Sequence, residues 1–405
     1  MTKPSTASTK NLSGRAPANS VTYLWLAAIM ATLALIVQGY LFIQHLALQS
    51  GEYTKSLCDI NEKFDCSAVS ASQYAVILGV PVALWGFMAN IAFLVLLVVA
   101  WLSDDEKKPA ARRNVLLTAF GIVIGSIVMG SISMFLLSKF CIFCLTAYVL
   151  SILLLTFVWL AFRGVTLFSA IKVKDFVPLL VTAAVVFVGA FIINSSAAQG
   201  NDVNSTANQA AFSQFINDWQ ASPAKDFKLV DPLVMGPDNA KMTITEFADF
   251  RCIHCKHAAP ILHAFAASHP DVRLEFQPWP LDGECNSSLN QSNGASCLLA
   301  RASWCAQKTK QAGWAVHNYI YGLSEIYPTA DAVKADMPAI ANAAGLSVDE
   351  MKTCTDSEAA KTAVREQANV GTNINLQGTP TIYVNKKLLS GGQSLPVLQK
   401  AYGTL

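Results

Sequence analysis

The segment Thr243-Ile-Thr-Glu-Phe-Ala-Asp-Phe-Arg-Cys252-Ile-His-Cys255-Lys256 decides how this chain is read. Apolar and polar residues alternate over Met242–Phe247, the pattern of a half-buried strand. A short loop follows, and then two cysteines, two residues apart, open a stretch to Ser268 that reads as a helix. A helix N-terminus carries about half a positive charge, so a thiol placed there ionises readily. Cys252 is then the exposed nucleophile, and Cys255 resolves the mixed disulfide. His254, between them, can stabilise the thiolate further. A structural zinc half-site or a plain structural disulfide would be the alternatives. Zinc needs two more ligands at matching spacing, and the soluble half has neither a second CxxC nor an HxxxH. Redox chemistry without a metal is expected.

Outward from this segment, Val272–Phe276 reads as a strand, 295–370 as helix-rich, Thr381–Val384 as a strand, Lys386–Gly392 as a turn and Ser394–Tyr402 as a helix. That order predicts an α/β domain with a helical insertion over 225–405. Cys285, Cys297, Cys305 and Cys354 lie in or beside the insertion, and no two of them have CxxC spacing. They are expected to form structural disulfides. Of the three connectivities, Cys285–Cys297 with Cys305–Cys354 is favoured.

The other half of the chain is of another kind. Apolar residues make up 53% of the 405 residues and charged residues 14%, and the excess lies in long apolar runs before about residue 195. Five runs are long enough to cross a bilayer: Val21–Leu48, Pro81–Leu102, Val115–Leu137, Cys141–Phe162 and Phe176–Ile193. The first is too long for a signal peptide and lacks a small-residue cleavage site. Ser72–Leu78, before Gly79-Val80-Pro81, reads as a short interfacial helix that breaks. The net charge of +2, with no basic stripe, argues against a nucleic-acid partner.

Basic residues fix an expected orientation. Lys3, Lys10 and Arg15 precede the first span, Lys107, Lys108, Arg112 and Arg113 follow the second, and Arg163, Lys172 and Lys174 follow the fourth. These positions are expected to be cytoplasmic. The N-terminal tail, 1–20, reads as disordered and the chain as a multi-pass protein of the cytoplasmic membrane. The soluble domain then lies outside, in the periplasm or its equivalent, and all ten cysteines share the oxidising side. Asn194–Asn208 reads as a polar linker. Phe212, Phe215, Ile216 and Trp219 form a helical stripe that could dock on the soluble domain or lie on the membrane.

Two more cysteine pairs belong to the membrane half. Cys141-Ile-Phe-Cys144 opens the fourth span, with Cys144 one turn further into apolar surroundings, where a lipid-soluble oxidant could reach it. Cys58 and Cys66 lie in the loop after the first span, which could swing between partners or be braced by a static disulfide.

Two resemblances follow from these residues. The CxxC segment, Gln377-Gly-Thr-Pro380-Thr-Ile-Tyr-Val384 and Pro278-Trp-Pro-Leu-Asp282 make 225–405 similar to the DsbA-like branch of the thioredoxin superfamily. That resemblance implies a cis Pro380 facing the CxxC and helping to position substrate backbone. Residues 21–163 resemble the vitamin K epoxide reductase family: four helices, a loop cysteine pair, and CxxC at the start of the fourth helix. Its bacterial members are often joined through an extra span, here within 164–224, to a thioredoxin-like domain. Cys66-Ser-Ala-Val-Ser-Ala-Ser72-Gln-Tyr74 and Gly79-Val-Pro81 fit its pattern after the second loop cysteine. The resemblance implies a quinone, ubiquinone or menaquinone, next to Cys144 and Ser72; Ser72 reads equally well as a helix cap.

Together the halves imply a relay. Reduced exported proteins would pass electrons to Cys252/Cys255, then to Cys58/Cys66, then to Cys141/Cys144 and last to the membrane quinone pool. An outward-acting reductase or isomerase is the rival enzyme, but no cysteine lies on an expected cytoplasmic loop to feed it. A membrane-tethered chaperone with structural cysteines is the non-enzymatic rival.

Overall fold

The computed structural model describes residues 20–50, 63–105, 107–137, 139–163, 173–200 and 206–405. Cys58 lies outside them, as does most of the loop that carries it. Among the described residues five helices are long and apolar enough to cross a membrane: Ser20–Ser50, Val82–Leu102, Lys108–Leu137, Ile142–Ala161 and Lys174–Ala197. These correspond to the five runs read from the sequence.

In chain order the first elements are helix α1 (Ser20–Ser50), the short helix α2 (Cys66–Ala71), strands β1 (Val76–Ile77) and β2 (Val80–Pro81), and helices α3 (Val82–Leu102), α4 (Lys108–Ile132), α5 (Ile142–Ala161), α6 (Val177–Gly200) and α7 (Thr206–Ala221). The last turn of α4 widens into a π-helical turn, Ser133–Leu137. Two compact units emerge.

One unit holds the described residues of Met1–Gln38, Trp85–Gly130 and Leu145–Ala190. Ala27 and Ala31 of α1, Phe93 and Leu96 of α3, Val115, Leu116 and Ala119 of α4, and Leu154 and Val158 of α5 share one core. Phe187 of α6 and Trp85 of α3 have ring centroids 5.5 Å apart.

The second unit joins Gly39–Leu84 and Ser131–Cys144 to Phe191–Leu405. Its remaining elements are β3 (Leu233–Met235), β4 (Met242–Ala248), α8 (Ile253–Ser268), β5 (Val272–Pro278), α9 (Ala295–Lys310), α10 (Gly313–Gly322), α11 (Ala330–Ala335), α12 (Met337–Ala343), α13 (Val348–Asp356), α14 (Glu358–Asn373), β6 (Thr381–Val384), β7 (Lys387–Leu388) and α15 (Leu395–Gly403). The sheet order is β3-β5-β4-β6-β7, with β4 parallel to β5 and the other pairs antiparallel. Helices α9 to α14 are the insertion between β5 and β6. Phe247, Phe265 and Phe276 are fully buried around the sheet, each burial stabilising by roughly 1.5–3 kcal/mol. The result is a thioredoxin-like α/β domain.

Three local readings change and one open choice is decided. Ser72–Leu78 is not one helix: α2 ends at Ala71, a 3₁₀ turn spans Gln73–Ala75, and β1 and β2 form a hairpin whose turn, Leu78-Gly79, has φ of 53° and 79°. Pro81 therefore ends a hairpin instead of breaking a helix. The first part of the expected linker is helical, because α6 runs on to Gly200 and Asn194 Nδ2 donates to Gly79 O at 3.0 Å. Lys386–Gly392 contains the edge strand β7; the reversal is at Asn385-Lys386, both at positive φ. Finally, α7 docks on the thioredoxin-like domain. Its Ile216 and Trp219 are buried there, and Trp219 Nε1 donates to Val384 O at 3.0 Å.

Candidate functional site

The turn after β4 sets the geometry of the soluble cysteines. Asp249 Oδ1 accepts from Arg251 N at 2.6 Å and Oδ2 from Leu281 N at 2.7 Å, and the Tyr321 hydroxyl donates to Asp249 O at 2.9 Å. Arg251 donates from Nε to Tyr327 O at 2.6 Å and from Nη2 to Pro328 O at 3.1 Å, so the insertion is fastened to the loop. Cys252 is thereby held as the N-cap of α8. Its Sγ accepts from Cys255 N at 3.4 Å, which satisfies one of the helix's unpaired donors.

The two thiols differ. Cys252 is half-buried and Cys255 fully buried, and both are free thiols. Hydrogen bonding from the Cys255 thiol brings the Cys252 pKa down to about 5 against the burial that opposes it, and Thr379 and the N–H groups of Cys255 and His254 add to the effect. Burial pushes the Cys255 thiol well up, helped by the Cys252 and Glu246 charges. His254 is exposed and acts on the thiolate through its backbone N–H. The Thr379–Pro380 peptide is cis, and the Cys252 thiol donates to Thr379 O at 3.3 Å. Pro380 therefore adjoins the CxxC from the other end of the domain.

Glu246 was not singled out from the sequence. It is 1% exposed, and its Oε1 has no partner among the described residues. Burial, with the Cys252 charge, raises its pKa to about 8. The signal was present: Met242, Ile244 and Glu246 recur at a period of two, so an acid stands on a core-facing strand position.

Cys285 is bonded to Cys297 (S–S 2.07 Å) and Cys305 to Cys354 (2.00 Å). Among the described residues no group of three or more His, Cys, Asp or Glu could hold a metal.

The membrane cysteines meet in the same unit. Cys66 is disulfide-bonded and opens α2, whose N-cap Asp65 accepts from Ala68 N at 2.7 Å. Asp65 N donates to Phe140 O at 3.0 Å and Phe140 N to Lys63 O at 2.7 Å, which ties the start of α2 to the residue before Cys141. Cys66 and Cys141 share a cluster with Leu41, Val69, Ile142, Phe143 and Cys144. Cys141 Sγ accepts from Cys144 N at 3.2 Å, repeating at α5 the arrangement at α8. At its far end α2 packs on α8: Ala71 enters the core of Ala258, Ile261, Leu262 and Leu398, and Gln399 Nε2 donates to Ala71 O at 3.3 Å.

Residues 25–159 match the vitamin K epoxide reductase family and residues 243–403 match the DSBA-like thioredoxin domain. The chain joins one domain of each family. Disulfide bond formation protein D of Bacillus subtilis is 23% identical over 164 residues, 38% of this chain and 68% of that protein. Na(+)/H(+) antiporter NhaA 3 of Salinispora tropica is 23% identical over 169 residues, 42% of this chain and 24% of that protein. The chain thus spans about a quarter of the antiporter relatives' length. Among solved structures, oxidised BdbD of Bacillus subtilis superposes with a TM-score of 0.36 at 21% identity, covering 45% of this chain and 97% of that one.

Whether the vitamin K epoxide reductase domain suits a quinone can be tested on its side chains. Around Cys144 the neighbours are apolar and aromatic, Leu41, Val69, Ile142 and Phe143, and the Tyr40 and Phe143 ring centroids are 4.8 Å apart; the chemistry of these side chains suits an apolar ring. Ser72 is 1% exposed, but its hydroxyl donates to Val69 O at 2.8 Å. It is the C-cap of α2 and also the N-cap residue of the 3₁₀ turn Gln73–Ala75, without a side-chain capping bond to that turn; its oxygen can still accept.

Proposed function

We propose that this chain is a membrane thiol–disulfide oxidoreductase that forms disulfides in exported proteins and passes the electrons to a quinone. The observation that carries the reading is the double contact of α2. The six-residue helix that begins at the disulfide-bonded Cys66 packs on Cys141 at one end and on the CxxC helix α8 at the other.

In this reading an exported dithiol gives two electrons and two protons to the Cys252–Cys255 disulfide. The Cys252 thiolate then attacks the Cys58–Cys66 disulfide, and Cys255 resolves the mixed disulfide. Freed Cys66 passes the pair to Cys141/Cys144. Tyr40, Phe143 and the residues around Cys144 would hold a quinone, which would supply the final acceptor of two electrons and two protons. The low pKa of Cys252 keeps its nucleophile ionised at neutral pH. The expected orientation puts the thioredoxin-like domain outside the cytoplasmic membrane, where reduced exported chains emerge.

The test is stoichiometric. Full-length protein in lipid nanodiscs, given a reduced dithiol peptide and ubiquinone or menaquinone, should yield one quinol per disulfide formed. Thiol oxidation without quinol, or no oxidation of the peptide with either quinone, would remove this reading in favour of an outward-acting reductase or a chaperone.

A further inference from the structure

One polar side chain at the membrane site has no part in the relay as described. His45 is 5% exposed near the C-terminal end of α1, and its Nδ1 shares a hydrogen bond with Ser70 Oγ at 3.0 Å. A buried imidazole at the end of an apolar span is costly to desolvate unless its polar atoms do something there.

Its neighbours on α1 say what that is. Leu41, His45 and Leu48 stand at i, i+4 and i+7, so they share one helix face. Leu41 packs into the cluster of Cys66 and Cys141. Leu48, fully buried, packs with Ala71 in the core that includes Ala258, Ile261 and Leu262 of α8. The α1 face therefore follows α2 from its redox end to its docking end, and His45 grips it between the two. A helix of six residues has almost no stability of its own. The N-terminal end of α2 is tied by the backbone bonds to Phe140; among the described residues Ser70 has no backbone–backbone bond from outside its helix, and His45 engages its hydroxyl and its backbone.

We propose that His45 is a positioning residue for thiol exchange. By holding Ser70 it seats α2 so that Cys66 faces Cys141 while the thioredoxin-like domain docks on the same helix. This rests on the relay proposed above and adds a residue that acts through Ser70. The bond is specific in its geometry. An asparagine side chain can place an amide where Nδ1 stands, whereas glutamine reaches towards the place of Nε2.

The experiment starts from full-length protein in nanodiscs, reduced at Cys252/Cys255 and oxidised at both membrane pairs, in single turnover. Acid quench and alkylation, read by mass spectrometry, follow the electrons into Cys141/Cys144. His45→Ala and Ser70→Ala should each slow this transfer about tenfold, the effect of losing one buried hydrogen bond of about 1.4 kcal/mol. His45→Asn should recover to within about twofold of the wild type, and His45→Gln should not. The double variant H45A/S70A should be no slower than either single one. Should H45A assemble poorly, the H45N and H45Q pair and S70A carry the same comparison. Transfer at the wild-type rate in H45A or S70A, equal rescue by Gln and Asn, or additive losses would overturn the role. Absence of transfer in the wild type would sink the relay itself, a result the variants cannot produce.

Discussion

Replacing Thr379 by valine should raise the pKa of Cys252 and make the soluble disulfide a weaker oxidant, without loss of stability. The Thr379 hydroxyl is buried and has no partner among the described residues while Cys252 is a thiol. It becomes a donor to sulfur only when Cys252 ionises, and it is one of the groups that bring that pKa to about 5. A hydrogen bond to a charged group contributes about 1.5–3 kcal/mol. Cys252 is only half-buried, and solvent screens the site, so the lower end applies. About 1.4 kcal/mol is one pKa unit, which moves Cys252 from about 5 towards about 6. The same energy lifts the reduced form relative to the disulfide and lowers the potential by about 30 mV for two electrons. Valine has nearly the volume of threonine and removes an unsatisfied buried hydroxyl, so the melting temperature should hold or rise. Thiolate absorbance against pH gives the first quantity, and equilibration with glutathione gives the second. An unchanged pKa with an unchanged potential would refute the role of Thr379, as would a shift seen only with partial unfolding.

Glu246→Gln should flatten the pH dependence of the reduced domain's stability. Burial raises the folded pKa of Glu246 to about 8, so its contribution is full below its unfolded pKa of about 4.5 and is lost as pH rises through 8. Thermal unfolding between pH 4.5 and 9 should show the wild type falling relative to E246Q by a few kcal/mol, at roughly 1.4 per pKa unit; parallel curves would contradict this. Removing Cys305–Cys354, with a sequence separation of 49, should cost about 4 kcal/mol, against about 3 for Cys285–Cys297 with a separation of 12. Denaturant titrations of the serine pairs check the order, and quinone-linked turnover of the folded fraction should survive both changes.

The parts legible in the sequence are those with strong local periods. Five spans could be read because nothing but a bilayer or a large core suits apolar runs of that length. The CxxC helix could be read because cysteine spacing and the strand before it agree. The hairpin at Val76–Pro81 could not, since its turn uses Leu78, a residue with no preference for positive φ. Helix α7 had an amphipathic stripe that fits either a membrane or a domain; the choice lies in Trp219 and Val384, 165 residues apart. His45 gave no local sign either, because its partner Ser70 is one of three serines in Cys66–Ala71 and the segment that follows.

The chemistry of the two soluble thiols bears on direction. A buried thiol with a raised pKa is a poor first nucleophile, yet it becomes a strong one once a base or a nearby carboxylate takes its proton. Cys255 has Glu246 beside it, neutral at low pH and ionising near pH 8. After Cys252 has entered a mixed disulfide its negative charge is gone, and the Coulombic part of the Glu246 shift goes with it. Glu246 then becomes the stronger acid and its carboxylate the available base. Resolution by Cys255 is thus favoured only after Cys252 has reacted, which orders the two half-steps without any motion of the fold.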